Sequence, residues 1–373
     1  MTLSTIGTGI GSTAIWTPET SYGAVVASPA WRSVEPTSGI QPKKVKTVKQ
    51  SSPLAGGRLA DIVSRRVIAA QAATFSVPLE VCTTGFNGLL NAISGAYTYG
   101  SAGSQAANTG IYVAGTRVTP SGSIYSYTHT FRNDVAGRSV AWQVGTPTTD
   151  AVLRQRDLLG AKPTKYAWSC KKADFLTLAT DWDARVLEDP LITTAYQGYP
   201  NGATQTPYTQ ATPSYTAQTP LHFAESQIQI GASAAAASTA GIIDGVAGLD
   251  FSVEHKLNVD RQYMGNAGLK DEQLISDVIA FTGTVTSDFV NKTYWEDAFY
   301  SDTGFTIIAT WSLGALSGTV SAVQAIWNNV KLNDGNAGSA GKDIVSGSYP
   351  FVSLYDLTNE PLTVIVQSTE ATV

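Results

Sequence analysis

The chain carries few of the residues with which proteins do chemistry. Three histidines and two cysteines stand among 373 residues. None of His129, His222 and His255 has a second histidine or a cysteine at ligand spacing, which excludes a zinc signature. Cys82 and Cys170 can close at most one disulfide, which excludes a stapled secreted scaffold and leaves open whether the pair is bonded. Only 14% of the residues are charged, yet 43% are hydrophobic, and that share excludes a globally disordered chain. No run of about 18 residues is apolar enough to span a bilayer, so no membrane association is expected. The first basic residue is Arg32, so the charged n-region of a secretory signal is missing. Net charge is −5, whereas a dedicated nucleic-acid binder is usually basic.

What the chain does have is strand pattern. Leu176, Leu178, Trp182, Ala184 and Val186 alternate with Asp181, Asp183 and Arg185. Phe251, Val253, Leu257 and Val259 alternate in the same way with Asp250, Glu254, Lys256 and Asp260. Period-two alternation with one polar face predicts antiparallel, half-buried strands. Comparable runs lie at 40–50, 62–82, 124–132, 138–145, 164–172, 222–231, 277–290, 305–313, 317–331, 344–356 and 361–369, separated by Gly, Asn, Asp and Pro clusters. Two helices are predicted. Thr84 to Ser94 carries Phe86, Leu89, Leu90 and Ile93 at i, i+3, i+4, i+7, and Lys292 to Tyr300 is a shorter candidate. Each follows a strand directly, a weak internal echo of strand then helix.

Two stretches break the pattern. Residues 190–224 contain no Asp, Glu, Lys or Arg, and read as an exposed loop or linker. Residues 231–248 are small and read as flexible. Together they would divide the chain at 1–190 and 249–373, or form one long surface excursion from a single domain. Residues 41–66 differ in charge: Lys43, Lys44, Lys46, Lys49, Arg58, Arg65 and Arg66 stand against Asp61 alone, a net of +6, which leaves −11 for the rest. A turn-forming centre between two strand-like arms predicts a long basic hairpin on an acidic body.

No catalytic constellation emerges, and no enzyme, metal or cofactor is expected. His255 sits between Val253 and Leu257, as a packed imidazole would. Both cysteines read as buried and inert. Gly7-Thr-Gly9-Ile-Gly11 follows no strand and opens no helix, so it reads as an arm and not a phosphate loop. Asp181 and Asp183, two apart on one strand face, read as solvated acids before they read as a cation site. The sequon at Asn291-Lys-Thr293 has no secretory context. The basic segment holds no aromatic residue to stack on bases, so charge complementarity to another copy outweighs nucleic-acid binding. Strand edges must be covered, and opposite charges on opposite surfaces favour heterologous contacts that close into rings or stack.

The ordered pattern resembles the major tail tube proteins of long-tailed, non-contractile bacteriophages of the siphovirus type. Glu19-Thr-Ser-Tyr-Gly23 is similar to the family's lead-in to its first strand. Leu54-Ala-Gly-Gly-Arg58, then Arg65-Arg66, resembles its long loop. Phe75 to Val81 and Gly85-Phe-Asn-Gly-Leu-Leu90 resemble the strand entering its helix. Tyr127-Thr-His129 and Tyr166-Ala-Trp-Ser-Cys170 resemble the segments that follow. Leu249 to Arg261, Phe281 to Phe289 and Glu360-Pro-Leu-Thr-Val-Ile-Val366 resemble its later strands. The likeness is weakest at 97–122 and 190–248, which are read as surface insertions.

The resemblance implies an all-β fold of two packed antiparallel sheets with a flanking helix, as one tail-tube domain over 1–373. It implies a virion tail protein, assembled in the host cytoplasm. Its copies form rings, most often homohexameric, that stack around a tape-measure protein and meet tail terminator and distal tail proteins. The tube then conducts double-stranded DNA into the host. By position and charge the inter-ring loop maps onto 41–66. Its contact residues are then Lys43, Lys44, Lys46, Lys49, Arg58, Arg65 and Arg66. A conduit must not hold its cargo, because each neutralised phosphate adds affinity. Asp181, Asp183, Glu254, Asp260 and Asp288 are therefore the acidic candidates for the lumen. The rival readings are a virion decoration or receptor-binding β-protein using 190–224, a hydrolase with scattered carboxylates, and a two-domain tube protein forming pseudo-six-fold trimers.

Overall fold

Alternating apolar residues become long antiparallel strands in the computed structural model, which describes residues 12–52, 60–94, 96–100, 109–132, 135–147, 153–189, 196–197, 204–215, 218–289, 292–336 and 345–371. The first part of the chain forms β1 (Thr13–Pro18), β2 (Arg32–Val34), β3 (Lys43–Gln50), β4 (Arg66–Glu80), α1 (Asn87–Ser94), β5 (Ala96–Gly100), β6 (Tyr112–Val113), β7 (Thr116–Arg117), β8 (Tyr125–Thr130) and β9 (Val140–Pro147). It continues through β10 (Leu153–Lys171), β11 (Thr177–Ala184), β12 (Val186–Glu188), β13 (Tyr196–Gln197) and β14 (Thr204–Gln205). The second part forms β15 (Ser226–Gly231), α2 (Ala234–Thr239), β16 (Val246–Glu254), β17 (Leu257–Asn258), β18 (Leu274–Ile275), β19 (Ala280–Asp288) and α3 (Lys292–Tyr300). It ends with β20 (Phe305–Ser312), β21 (Ala322–Leu332), β22 (Ser346–Ser353) and β23 (Leu362–Ser368).

A central sheet runs β3–β4–β11–β10–β16–β19–β22–β21. Two outer sheets pack on its inner side. One is β2–β1–β9–β10–β12, and the other is β15–β20–β21–β23–β8–β5. The long strands β10 and β21 each belong to both layers. Followed strand by strand, these pairings never return to their start, so the sheets of the described residues are open. The fold is all-β, two antiparallel layers with helices beside them.

The same plan occurs twice. In the first half β1 pairs with β9, β9 with β10, β10 with β11 and β12, and β11 with β4. In the second half β15 pairs with β20, β20 with β21, β21 with β22 and β23, and β22 with β19. Each half places a hairpin connection before the last-named strand of this set (β3 to β4, β16 to β19) and a helix after it (α1, α3). Eight elements thus recur in one order with one set of neighbours, which turns the faint strand–helix echo into a topological repeat. Two exchanges tie the units together: β16 adds to the first unit's β10, and β8 adds to the second unit's β23.

The core is one large apolar cluster between the layers with two smaller clusters beside it. Trp142 meets Trp16, Phe75 and Trp182 at ring separations of 6.4, 5.7 and 5.4 Å. In the second unit Phe251 packs against Trp168 at 5.3 Å and Trp327 at 4.6 Å. These large rings supply most of the apolar area removed from water. α1 turns Leu89, Leu90 and Ile93 inward, the stripe its spacing demands.

Several expectations change. The run at 231–248 is not loose: Ser233 caps α2 through the Ala236 amide, and Ala237 is fully buried. Its small residues permit close approach, for a Cβ at Gly231 would lie 2.4 Å from the Ala237 nitrogen. Of the supposed exposed loop at 190–224, Tyr208 and Leu221 are buried. The unit boundary falls between Glu188 and Ser226, since β15 is part of the second plan, so the division at 1–190 and 249–373 does not hold. Both cysteines are free thiols, with Cys170 buried and accepting from the Trp311 indole at 3.4 Å. The Gly7–Gly11 arm, Arg58 and Asn291 lie outside the described residues.

Candidate assembly surfaces

The basic segment folds as the hairpin its pattern predicts, with Lys43↔Thr74 and Gln50↔Arg66 as its end pairs and a bulge at Thr47/Val48. Lys43, Lys46, Lys49 and Arg66 are exposed, and Arg65 is half-buried. Lys44 is the exception. Its ammonium donates to the Leu187 carbonyl at 2.8 Å and lies 3.8 Å from Glu188, so it braces the hairpin root within its own subunit. Desolvation there lowers its pKa, with Glu188 opposing. Sequence reasoning missed that the hairpin is also apolar: Val45, Val48, Val63, Val67 and Ile68 are all exposed, Val67 at 57%. Exposed β-branched residues among lysines are the composition of a contact surface waiting for a partner.

The central sheet has one covered and one open face. Phe75, Val77, Leu178, Trp182, Tyr166, Trp168, Phe251 and Phe351 point into the core. The alternate positions point away, and pairing brings them into rows. Ser76, Asp181, Lys165 and Glu254 form one row, and Glu80, Thr177, Ser169, Asp250 and Thr284 another. The remaining outward positions include Thr74, Ala179, Ala167, Ser252, Thr282, Thr286 and Ser348. No aromatic residue stands on this face. Its charges are Glu80, Asp181, Asp250, Glu254 and Asp288 against Lys43, Lys165, Lys171 and Lys331, a net of −1. Asp181 accepts from the Ser76 hydroxyl at 2.6 Å, and Glu254 pairs with Lys256 at 2.7 Å. Asp181, Glu254 and Asp288 therefore share a face, whereas Asp260 lies off the sheet in the loop between β17 and β18.

Asp183 does not join them. It is 3% exposed, and Arg185 is fully buried. The alternation that placed both in water is overridden because residues 259–273 fold over this rim of the sheet. Asp183 accepts from Lys270 Nζ at 2.6 Å and Gln273 Nε2 at 2.7 Å. Lys162, also fully buried, donates to Glu272 at 2.6 Å. Desolvation raises the Asp183 pKa, and Lys270 pulls it back. Nearby Glu19 accepts from the amides of Gly23 and Gly160, both at 2.8 Å, and from the Ser139 hydroxyl. Its burial pushes the carboxyl up to about 7 against those donors and Arg185. Gly160 is obligatory here, with φ +63° and the Tyr22 ring 2.8 Å from where a Cβ would sit. Any reading of Asp183 as a lumen acid fails on this burial.

These buried acids and bases are partnered structural groups, not an exposed reactive cluster. His255, fully buried with its ring edge-on to Tyr166 at 5.5 Å, is packed as its position implied. Burial lowers its pKa to about 4. Among the described residues no helix is long and apolar enough to cross a membrane. What the molecule offers is an open acidic sheet face, two sheet edges, and a basic, apolar hairpin. No curated protein matches the chain. The family model described as "Phage tail tube protein" matches residues 9–353, nearly the whole length, and the chain belongs to that family.

Proposed function

We propose that the chain closes into rings of three copies, that the rings stack into the tail tube, and that the open face of the central sheet lines the bore. The observation that carries this reading is the duplicated plan. One chain supplies two tube units, so three chains supply six, with pseudo-six-fold symmetry in place of the six chains expected from the resemblance. The free edge of β3 and the end of β21 at Lys331 and Leu332, beyond its pairing with β20, are at opposite ends of the central sheet, as ring closure by strand pairing requires.

Geometry supports three. The central sheet has eight strands per chain, so three copies give 24. At roughly 4.8 Å per strand and a tilt of about 40°, a barrel of that size is about 48 Å across its backbone. The small inward side chains leave roughly 35–40 Å clear, enough for duplex DNA. Two copies would give about 32 Å between backbones, which leaves no space for a hydrated duplex, and six about 96 Å, far wider than the cargo. Acidic side chains, among them Asp181, Glu254 and Asp288, would offset Lys165, Lys171 and Lys331, so that the face neither neutralises phosphates in sum nor stacks on bases. In this reading the DNA passes without being held, and the tape-measure, terminator and distal tail proteins meet the tube at its bore and ends. Lys43, Lys46, Lys49, Arg65 and Arg66 face neighbouring copies.

Microscopy of the purified protein tests it. Class averages of end-on rings with three strong repeats, and mass per ring equal to three chains, are the expected result. Six chains per ring would refute the stoichiometry, and compact monomers at high concentration would refute the assembly.

A further inference from the structure

The internal repeat lets one half of the molecule predict the contacts of the other. In the first unit the rim at Asp183 is covered by the second unit's β16–β19 connection. Lys270 reaches Asp183, Glu272 reaches Lys162, and the Arg185 guanidinium and Tyr22 hydroxyl donate to the carbonyls of Lys270 and Asp271. Leu269 is fully buried against Ala141, Leu159, Val186 and Tyr208. Register assigns the matching places in the second unit. Asp183 pairs with Lys162 as Val352 pairs with Lys331. Ser353 and Leu354 then follow Val352 as Ala184 and Arg185 follow Asp183, and the Arg185 and Leu354 amides donate to the Leu159 and Asn329 carbonyls.

That second rim is open beyond Tyr355, whose ring lies 4.0 Å under the Arg132 guanidinium. It holds a cleft of about 270 Å³ whose lining includes Asn328, Asn329, Gly304, Ala234, Asp356 and Asn359. At its border Leu354 is 46% and Leu357 84% exposed. The cleft occupies the place that the β16–β19 connection fills in the first unit.

We infer that this cleft receives the β3–β4 hairpin of a second copy. The β3–β4 connection has the same place in its unit as the β16–β19 connection has in the other. It carries the matching chemistry: Val45, Val48, Val67 and Ile68 for the leucines, and Lys43, Lys46 and Lys49 for Asp356 and Asp302. Its own subunit cannot present the cleft to it. β3 and β21 are opposite edges of the sheet, seven strand spacings or roughly 33 Å apart. The inference rests on the self-assembly reading and adds to it a named socket.

Crosslinking tests it on the full chain with Cys82→Ala, since Cys170 is buried. Val48→Cys is combined with Leu357→Cys and treated with a short bis-maleimide, beside each single variant, with electron microscopy of the same samples. Docking raises the local thiol concentration to the order of millimolar, so at about 10 µM protein the double variant should form covalent multimers about a hundredfold faster than either single variant. Mixing the two single variants should give covalent dimers, which identifies the contact as intermolecular. Rods without this crosslink would overturn the socket and leave the tube reading standing. Absence of any association would overturn both.

Discussion

Removing Lys270 isolates the rim network. The Asp183–Lys270 pair is 2.6 Å long with both side chains 5% exposed, and only Gln273 is a further donor to that carboxylate. Lys270→Ala leaves a buried carboxylate with one amide for company. Losing one partner of a buried ion pair costs about 3–5 kcal/mol. Gln273 offsets part of this, because a hydrogen bond to a charged group contributes about 1.5–3 kcal/mol, so the lower end of that range is expected. Urea unfolding of dilute, unassembled protein measures it as a fall in the midpoint at unchanged slope. Asp183→Asn with Lys270→Met removes both charges and should recover most of the loss, since a buried pair replaced by neutral or apolar groups is often neutral. A cost below about 1 kcal/mol for Lys270→Ala would mean that water reaches Asp183. The account of why residues 259–273 fold over the rim would then be wrong.

Further outcomes follow from the same structure. Glu19 has an ordinary value of 4.5 and a folded value of about 7, so its contribution is complete below pH 4.5 and is lost as pH rises through 7. At 1.36 kcal/mol per unit this is about 3 kcal/mol, and Glu19→Gln should flatten the stability profile across that window in a pH series of denaturant melts. Trp142→Ala should cost about 3–5 kcal/mol by thermal or urea unfolding, because its ring meets three other buried aromatic rings. Asp181→Lys, Glu254→Lys and Asp288→Lys together remove three negative and add three positive charges per chain on the open face. Tubes of that variant should retain duplex DNA in a gel-shift assay at low salt and release it as salt rises, and DNA-free tubes would refute the lining. Lys46→Glu with Lys49→Glu should shorten or abolish rods in negative stain, and rods of unchanged length would remove the hairpin from the contact.

Much of the fold was legible in the sequence because the strands obey alternation. The ranges read around β3, β8, β20 and β23 agree with the structure to within a few residues, and Lys292–Tyr300 is helical as read. Reading fails where another segment covers the polar face. Asp183 and Arg185 look solvated until residues 259–273, far along the chain, arrive on top of them. The first half of β10 hides for a related reason: Gln155, Asp157 and Lys162 are buried there, and a strand with charge on its inward positions has no readable period. α2 was lost because a run of Ala and Ser reads as slack, whereas here it is close packing. At the candidate surfaces, charge revealed the basic hairpin. Its exposed valines gave no such signal, since composition cannot distinguish a strand facing a core from one facing another molecule. Asp181, Glu254 and Asp288 share a face only through pairings between distant strands, which period-two patterning within each strand does not specify.

The exchange of β8 sets the timing of biogenesis. Thr130 finds its partner in Thr363, 233 residues later and close to the end of the chain. A ribosome therefore holds an unfinished outer layer until the last strands emerge, and neither unit can mature alone. A chain lacking β23 would leave one edge of β8 uncovered and the outer layer open.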